Sequence, residues 1–237
     1  MSCKTLLTLS ISCATYLSSA CPRREPMKIA MNPIPKPSPR DTIIALGSNL
    51  TGLWGDPQHT LKIAVCRIGA AGIVVKFASD IVRSTALGGG RQPHFFNAVI
   101  IVHANLAPGQ LLRFFKSLER EAGRRLGRRW GPRSLDLDIV AQAGYHRRQT
   151  DARRSRGQLV LPHPHMHQRA FVLGPLCQIA PHWYHPILHR TARQLLAERS
   201  IQLQLHGMET LHGTSRLLIE AAQDHDECDP KVSSIGR

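Results

Sequence analysis

The spacing of apolar positions changes several times along the chain, and each change marks the boundary of a predicted element. Residues 42–48 are a short β-branched and apolar run that closes at a glycine and a serine, which predicts a buried strand and a tight turn. Asp56 and Pro57 then begin a segment that closes at Gly72. An aspartate before a proline is typical of a helix start, because the carboxylate caps free N–H groups and proline has none to cap. We therefore predict a helix over this segment.

The following segments keep the same alternation of strands and helices. Residues 73–85 and 95–106 have strand texture, with a Gly-rich loop between them, and residues 107–127 predict a helix. Another strand and a last helix follow near residues 135–141 and 191–199. One face of the helix over residues 107–127 carries Leu111, Phe114 or Phe115, Leu118 and Ala122.

The order β-α-β-β-α-β predicts an α+β fold of the ferredoxin-like, split βαβ type: an antiparallel sheet with helices packed on one face, plus C-terminal additions. We expect residues 41–205 to form one domain. Residues 206–237 are rich in acidic side chains and are expected to be a flexible tail.

The first forty residues suggest an N-terminal extension. A weakly apolar run before Cys21 loosely resembles a secretory or lipoprotein signal, and a Pro-rich linker follows it. We expect residues 1–40 to be disordered or absent from the mature protein, with Met27 or Met31 as the true start. A targeting role for this segment is the alternative.

Positive charge is concentrated in one part of the chain. The formal net charge is +15, and ten arginines lie between Arg124 and Arg156, opposed there only by Asp136, Asp138 and Asp151. Such a cluster favours phosphate, on a nucleotide or on a nucleic acid. No run of about 18 apolar residues occurs, so no membrane-spanning helix is expected. The six cysteines lack a paired spacing, which predicts free thiols in a reducing compartment.

Two aspartates alternate with apolar residues in the stretch "RRWGPRSLDLDIV", residues 128–140. Side chains on a strand point to alternate faces, so Asp136 and Asp138 share the face opposite the apolar set, about 7 Å apart along the strand. The oxygens of two carboxylates are hard ligands that suit magnesium, which takes further ligands from water and substrate phosphates. Two alternatives remain for this pattern: surface aspartates neutralised by neighbouring arginines, and a glycosidase-like carboxylate pair, which leaves the arginines without a role.

Two further motifs are weaker. "ALGSNL" (residues 45–50) is a strand end and turn that matches neither a Walker A loop nor a Rossmann glycine motif. "LPHPHMHQRAF" (residues 161–171) places His163, His165 and His167 at alternate positions, which would suit a transition metal if the segment were extended. Its two prolines instead favour an irregular entry to a helix, with one imidazole and Arg169 reaching phosphate.

Together these motifs make residues 42–198 resemble the 6-hydroxymethyl-7,8-dihydropterin pyrophosphokinases. The resemblance rests on "ALGSNL", "FFNAV", the helix end from Glu119 to Arg124, "RRWGPRSLDLDI", "LPHPHMHQRAFVLGPL" and "IAP", which occur in the family's order. It implies an ATP-dependent diphosphotransferase of folate biosynthesis with a ferredoxin-like fold. It also implies two Mg²⁺ ions, with ATP as co-substrate.

The resemblance also implies roles for individual residues. Asp136 and Asp138 would bind the two metal ions, and Arg124 and Arg133 would share in catalysis. Phe95 and Phe171 would enclose the pterin ring. The residues implied for ATP are Leu112, Glu119, Arg129, Trp130, Arg133, His163 and Arg169, and those implied for the pterin are Ser84, Thr85, Leu87, Phe95, Asn97, Trp130 and Phe171.

Some positions depart from the family pattern. Lys116 stands where many relatives have glutamine near the adenine, and Thr85 and Ala86 stand where prolines are common. The shorter arginine run leaves open which of Arg125, Arg128 and Arg129 contacts phosphate.

The main competing hypothesis is a basic ferredoxin-like module that binds nucleic acid without catalysis. A secreted lipoprotein adaptor is a more distant alternative that rests on the N-terminal segment alone. We expect a cytoplasmic monomer that binds ATP and a reduced pterin, with neither a nucleic acid nor a membrane as partner.

Overall fold

The computed structural model describes residues 41–85, 92–124, 131–145, 159–198, 201, 205 and 207–224. The N-terminal extension expected at residues 1–40 lies outside the described residues. The strands are β1 (Asp41–Ser48), β2 (Val74–Ala78), β3 (Ile81–Ser84), β4 (Phe95–His103), β5 (Asp136–Gln142), β6 (Tyr184–His185), β7 (Arg190–Thr191) and β8 (Glu209–Leu211). The helices are α1 (Pro57–Ala70), α2 (Pro108–Glu121), α3 (Ala170–Ile179), α4 (Ala192–Leu196) and α5 (Thr214–Gln223), with a 3-10 turn at Met166–Gln168 before α3.

The main sheet has the strand order β5-β1-β4-β3-β8, and β2 pairs with β4 beside β3. All of these pairings are antiparallel. Since β2 and β3 run one after the other along β4, they act as one interrupted strand. The order is then that of a split βαβ unit, as the sequence predicts.

Helices cover both faces of the sheet. One face packs against α1, α2 and α5 through a core that includes Leu61, Phe115 and Leu137. The other face packs against α3 and α4 through a second core that includes Val99, Val140 and Leu173. The predicted split βαβ unit with α1 and α2 on one face is confirmed, and the C-terminal additions α3 and α4 cover part of the other face. The chain after β5 returns to cover part of the face that carries the aspartates.

Local chemistry explains where α1 begins and where α2 ends. Asp56 Oδ1 accepts hydrogen bonds from the backbone N–H groups of Gln58 and His59, at 2.9 and 3.1 Å, a cap that contributes about 1 kcal/mol. Helix α2 ends at Glu121, six residues before the predicted end, because Gly123 adopts the left-handed conformation (φ 88°). The predicted apolar face of α2 is confirmed, with Phe115 rather than Phe114 buried.

Two further predictions need correction. Residues 209–223 belong to the folded domain instead of a flexible tail, because β8 extends the sheet and Leu218 and Ala222 of α5 join the first core. Cys66 on α1 is disulfide-bonded, so the prediction of a free thiol is wrong there, whereas Cys177 is free. Residues 225–237 lie outside the described residues.

In the described part of the chain, every helix is too short or too polar to cross a bilayer. The expected cytoplasmic location and monomeric state stay predictions.

Candidate active site

A cavity of about 330 Å³ lies where β1 ends and β4 and β5 begin, next to the first turn of α3. The second core fills the same face of the sheet further along these strands, so the cavity has a packed floor. Its lining residues are Ala45, Leu46, Gly47, Ser84, Thr85, Phe95, Asn97, Gly131, Arg133, Asp136, Asp138, His163, His165, Arg169, Phe171 and Val172.

Strand register explains why the cavity is open there. In β1, Ala45 lies opposite Asp138 and Gly47 lies opposite Asp136. On its other side Gly47 lies opposite Asn97 of β4. Residues directly opposite one another point to the same face, so two small side chains leave room between the carboxylates and the amide. A Cβ atom added at Gly47 would lie 3.0 Å from Asn97 Oδ1.

Asp136 is the most heavily bonded carboxylate in the cavity. Its Oδ1 accepts from Nη1 of Arg133 at 2.8 Å and from Nη1 of Arg124 at 2.9 Å. The ion pair of Asp138 is longer: its Oδ2 lies 3.5 Å from Nη1 of Arg169. The side chains of Asp136 and Asp138 stay 25% and 36% exposed, so both carboxylates are accessible from the cavity.

Glu119, a buried carboxylate on α2, connects this charge cluster to the backbone of β5. It is 1% exposed, and its Oε1 accepts the backbone N–H of Leu137 at 2.9 Å. Lys116 donates to both of its oxygens, and Arg124 makes a further ion pair with it. A buried carboxylate is tolerated only when it is paired and hydrogen-bonded, and Glu119 meets that condition.

His163 stands beside Asp138 and Arg169 in the cavity wall. Burial holds the pKa of His163 below its ordinary value, and the nearby Asp138 carboxylate opposes this shift. Nδ1 of His163 faces the backbone N–H of His165 at 3.2 Å, so a neutral ring carries its proton on Nε2. His163 is therefore suited to donate one neutral hydrogen bond.

Two phenylalanines and one amide also line the cavity. Phe95 begins β4 and Phe171 lies in the first turn of α3. The guanidinium of Arg169 lies 5.7 Å from the centre of the Phe171 ring, within cation–π range. Asn97 is 5% exposed and donates from Nδ2 to Ser84 Oγ at 3.0 Å.

Most of the residues singled out from the sequence meet in this cavity, but some do not. Arg124 does not line the cavity but donates to Asp136, and Glu119 contacts Arg124 in turn. Leu112 packs against the first core and does not line the cavity. Leu87, Arg129 and Trp130 lie outside the described residues, as do Arg125 and Arg128. The cavity-lining residues without a site role predicted from the sequence are Ala45, Leu46, Gly47, Gly131, His165 and Val172. For Gly47, the available signal was a residue without a side chain in a predicted strand. Its importance follows from the pairing of this strand with the "LDLD" strand, where Gly47 lies opposite Asp136.

The three histidines do not form one site. His163 and His165 line the cavity, whereas the ring of His167 lies 6.3 Å from that of His185. Within the described ranges no group of three His, Cys, Asp or Glu side chains is placed to hold a metal ion. The pair Asp136 and Asp138 fits a cation that takes its remaining ligands from water and phosphate, as magnesium does.

A ferredoxin-like sheet whose cavity is lined by two accessible carboxylates, two arginines and two phenylalanines fits a phosphotransferase for a flat, ring-bearing substrate. The sequence also matches the model of the 7,8-dihydro-6-hydroxymethylpterin-pyrophosphokinase family over residues 43–181. The chain belongs to this family. It is therefore a pyrophosphokinase of folate biosynthesis with ATP as co-substrate, which confirms the resemblance and does not favour the nucleic-acid-binding alternative.

Individual relatives agree with this assignment. A 2-amino-4-hydroxy-6-hydroxymethyldihydropteridine pyrophosphokinase of Methylorubrum extorquens is 40% identical over 139 residues, covering 58% of this chain and 81% of the relative. The enzyme of that name from Synechocystis is 36% identical over 157 residues, covering 66% of this chain and 74% of the relative.

Solved structures agree on the fold. Wild-type Plasmodium falciparum HPPK-DHPS with pterin and p-hydroxybenzoate superposes with a TM-score of 0.51 at 12% identity. The match covers 72% of this chain and 44% of that one, so the chain spans less than half of this longer protein. At this identity the likeness concerns the fold alone.

Proposed function

We propose that this chain transfers the diphosphate of ATP to the hydroxymethyl oxygen of 6-hydroxymethyl-7,8-dihydropterin and releases AMP, with two magnesium ions held at Asp136 and Asp138. The observation that carries the proposal is a single cavity that is lined by two carboxylates and two arginines as well as by Phe95, Phe171 and Asn97. A polyphosphate suits the charged side chains, and a flat heterocycle suits the phenylalanines and the amide.

The carboxylates support the metal assignment. Asp136 and Asp138 offer hard oxygen ligands from one face of β5, and both are accessible. With only two protein side chains the remaining ligands would come from water and from ATP, which is the usual arrangement for magnesium. When bound, these ions would neutralise the charge that develops on the transferring phosphates.

The arginines would act on the phosphates themselves. Each guanidinium has five N–H donors, so Arg133, which lines the cavity, keeps donor positions besides its bond to Asp136, and Arg124 keeps donor positions besides its bonds to Asp136 and Glu119. Arg169 and the Nε2 proton of His163 would bind the outer phosphates from the α3 side. These donors stabilise the negative charge of the transition state more than that of the bound substrate.

The pterin would lie between Phe95 and Phe171, with its polar edge at Asn97. The bond from Asn97 Nδ2 to Ser84 fixes the orientation of the amide, and its Oδ1 can accept an N–H group of the ring. This geometry would direct the hydroxymethyl group towards the phosphates. Its oxygen attacks the β-phosphorus, the bond from that phosphorus to the α-phosphate oxygen breaks, and the hydroxyl proton is released to water.

One assay tests the proposal. Purified protein is incubated with ATP and magnesium, with and without the hydroxymethyldihydropterin, and AMP is quantified. We expect AMP release that requires both the pterin and the metal. A folded sample without pterin-dependent AMP release would contradict the proposal.

A further inference from the structure

Asp80 occupies the two-residue break between β2 and β3. At this break the ladder to β4 continues through Ser79, whose N–H donates to the Val99 carbonyl and whose Oγ accepts the Val99 N–H, both at 2.9 Å. Ser79 Oγ also donates to the Asp80 carbonyl at 2.9 Å, which leaves the N–H and the side chain of Asp80 to bond elsewhere. The break is therefore a junction to other elements instead of a simple interruption.

The side chain of Asp80 caps helix α5, more than 130 residues later. The N-cap position of α5 is Gly213, which has φ 83° and no side chain to serve as a cap. Asp80 Oδ1 accepts the backbone N–H of Ser215 at 2.9 Å and so replaces that cap from a distant segment. From the α5 side, Thr214 Oγ1 accepts the N–H of Ile81 at 2.7 Å. Two reciprocal bonds thus join the start of β3 to the start of α5.

The backbone of Asp80 is bonded to a third element. Its N–H donates to Oε1 of Gln178 on α3, at 2.9 Å. Helix α3 carries Phe171 and Val172 into the cavity, whereas β3 ends at Ser84 on the cavity's other side. Asp80 therefore contacts the supports of two cavity walls without lining the cavity.

Strand β8 completes this arrangement on the outer side of β3. Ile81 pairs with Leu211 and Arg83 with Glu209, so β3 is held between β4 and β8. The ion pair of Arg83 and Glu209 is about half exposed at both ends and contributes little by itself. The strand pairing and the Asp80–α5 bonds are thus what fixes β3 at this edge.

We propose that Asp80 is a positioning residue for the pterin-binding wall, acting through the C-terminal unit formed by β8 and α5. This inference rests on the proposed function for its substrate, and it concerns a unit that lies beyond the residues matched by the family model. Capping α5 holds β8 against β3, which sets Ser84 and Thr85 relative to Asn97. Within the described part of the chain, Asp136 and Asp138 make no hydrogen bond or ion pair to Asp80, β8 or α5, so we expect pterin binding to depend on Asp80 more strongly than ATP binding does.

Steady-state kinetics of Asp80→Ala test the proposal. We expect the KM for the pterin to rise at least fivefold, with kcat and the KM for ATP changed less than twofold. Asp80→Asn keeps an oxygen that can accept the Ser215 N–H and should recover most of the affinity. Thr191→Ala is the matched control, because it removes the N-cap of α4, an element that contributes no cavity residue. Thr214→Val removes the reciprocal bond and replaces Asp80→Ala if that variant does not fold.

Amide hydrogen exchange gives a second readout that needs no catalysis. Exchange of residues 81–85 should accelerate in Asp80→Ala and stay at the wild-type rate in Thr191→Ala. An unchanged pterin KM, an equal rise for both substrates, or equal exchange in the two variants would overturn the positioning role. Wild-type protein without pterin-dependent AMP release would instead contradict the proposed function, and the exchange data would still report on the junction.

Discussion

Glu119 Oε1 accepts the backbone N–H of Leu137 at 2.9 Å, so a buried carboxylate on α2 holds the strand residue that separates the two cavity aspartates. The same carboxylate pairs with Arg124, which in turn donates to Asp136. The distance from α2 to β5 and the position of one arginine are therefore set by a single side chain. Glu119 supports the site although it does not line the cavity.

Replacing Glu119 should cost both stability and turnover. Glu119→Ala leaves the Leu137 N–H buried without its acceptor, and we expect the free energy of unfolding to fall by about 1–3 kcal/mol. Glu119→Gln keeps an oxygen for Leu137 and should lose less stability, but it removes the charge that holds Arg124, so kcat should still fall. Urea unfolding and AMP release measure the two effects. Glu121→Ala, at an exposed position at the end of the same helix, is the control and should change neither quantity.

The two aspartates should be essential for turnover and dispensable for folding. Asp136→Asn and Asp138→Asn preserve shape and remove charge, and we expect kcat to fall by at least about 100-fold. Arg124 and Arg133 are more than a quarter exposed, so water can solvate them, and the free energy of unfolding should change by less than about 1 kcal/mol.

Metal binding gives an independent reading of the aspartate variants. Titration with Mn²⁺, followed by electron paramagnetic resonance in the presence of ATP, should show weaker binding in both variants than in wild type. Asp56→Asn carries the same substitution at a helix cap away from the cavity and should bind like wild type. Near-normal turnover in either cavity variant would remove the proposed metal role.

Local sequence signals were sufficient for the central fold. Proline after Asp56 marked the start of α1, and the alternation of leucine and aspartate in β5 placed both carboxylates on one face. These predictions succeeded because each depends on neighbours within a few residues. The order of strands then followed from the order of elements.

The features of the fold that could not be predicted from the sequence depend on contacts between distant segments. Nothing near Gly69 shows that an added Cβ would lie 2.0 Å from the Ala222 carbonyl oxygen, where α5 packs closely on α1. The C-terminal segment is acidic and polar, which is typical of a flexible tail. In the structure Asp80 instead supplies the helix cap of α5 that Gly213 cannot. Similarly, the covering of the aspartate face by α3 depends on a return of the chain that no local pattern encodes.

Gly47 should be required at its position in β1. A Cβ there would lie 3.0 Å from Asn97 Oδ1, so Gly47→Ala must displace the amide that we assign to the pterin edge. Loss or distortion of one hydrogen bond corresponds to a rise of about two- to tenfold in the KM for the pterin. The KM for ATP should stay within twofold, and initial rates at varied concentrations of each substrate measure both. Gly109→Ala adds a Cβ that makes only ordinary contact, 3.9 Å from Arg113, and serves as control. An unchanged pterin KM would exclude the assigned contact.

His185 should make the domain less stable in mild acid. Its side chain is 4% exposed, and its Nδ1 accepts the backbone N–H groups of Ile187 and Leu188 at 3.3 and 3.2 Å. Burial, followed by the nearby His167, lowers the pKa of His185 to about 4 from an ordinary value of 6.5.

Because the folded pKa lies below the unfolded one, the unfolded state binds more protons between these values. The stability linked to His185 is therefore complete above pH 6.5 and is lost as the pH falls towards 4. From pH 7 to pH 5 we expect the free energy of unfolding of wild type to fall by about 1–2 kcal/mol more than that of His185→Asn. Asparagine keeps an acceptor close to the position of Nδ1 but does not titrate. His182→Asn removes an exposed imidazole nearby and should follow the wild-type profile. Urea titrations at the two pH values compare all three proteins, and parallel profiles for wild type and His185→Asn would show that His185 does not carry this pH dependence.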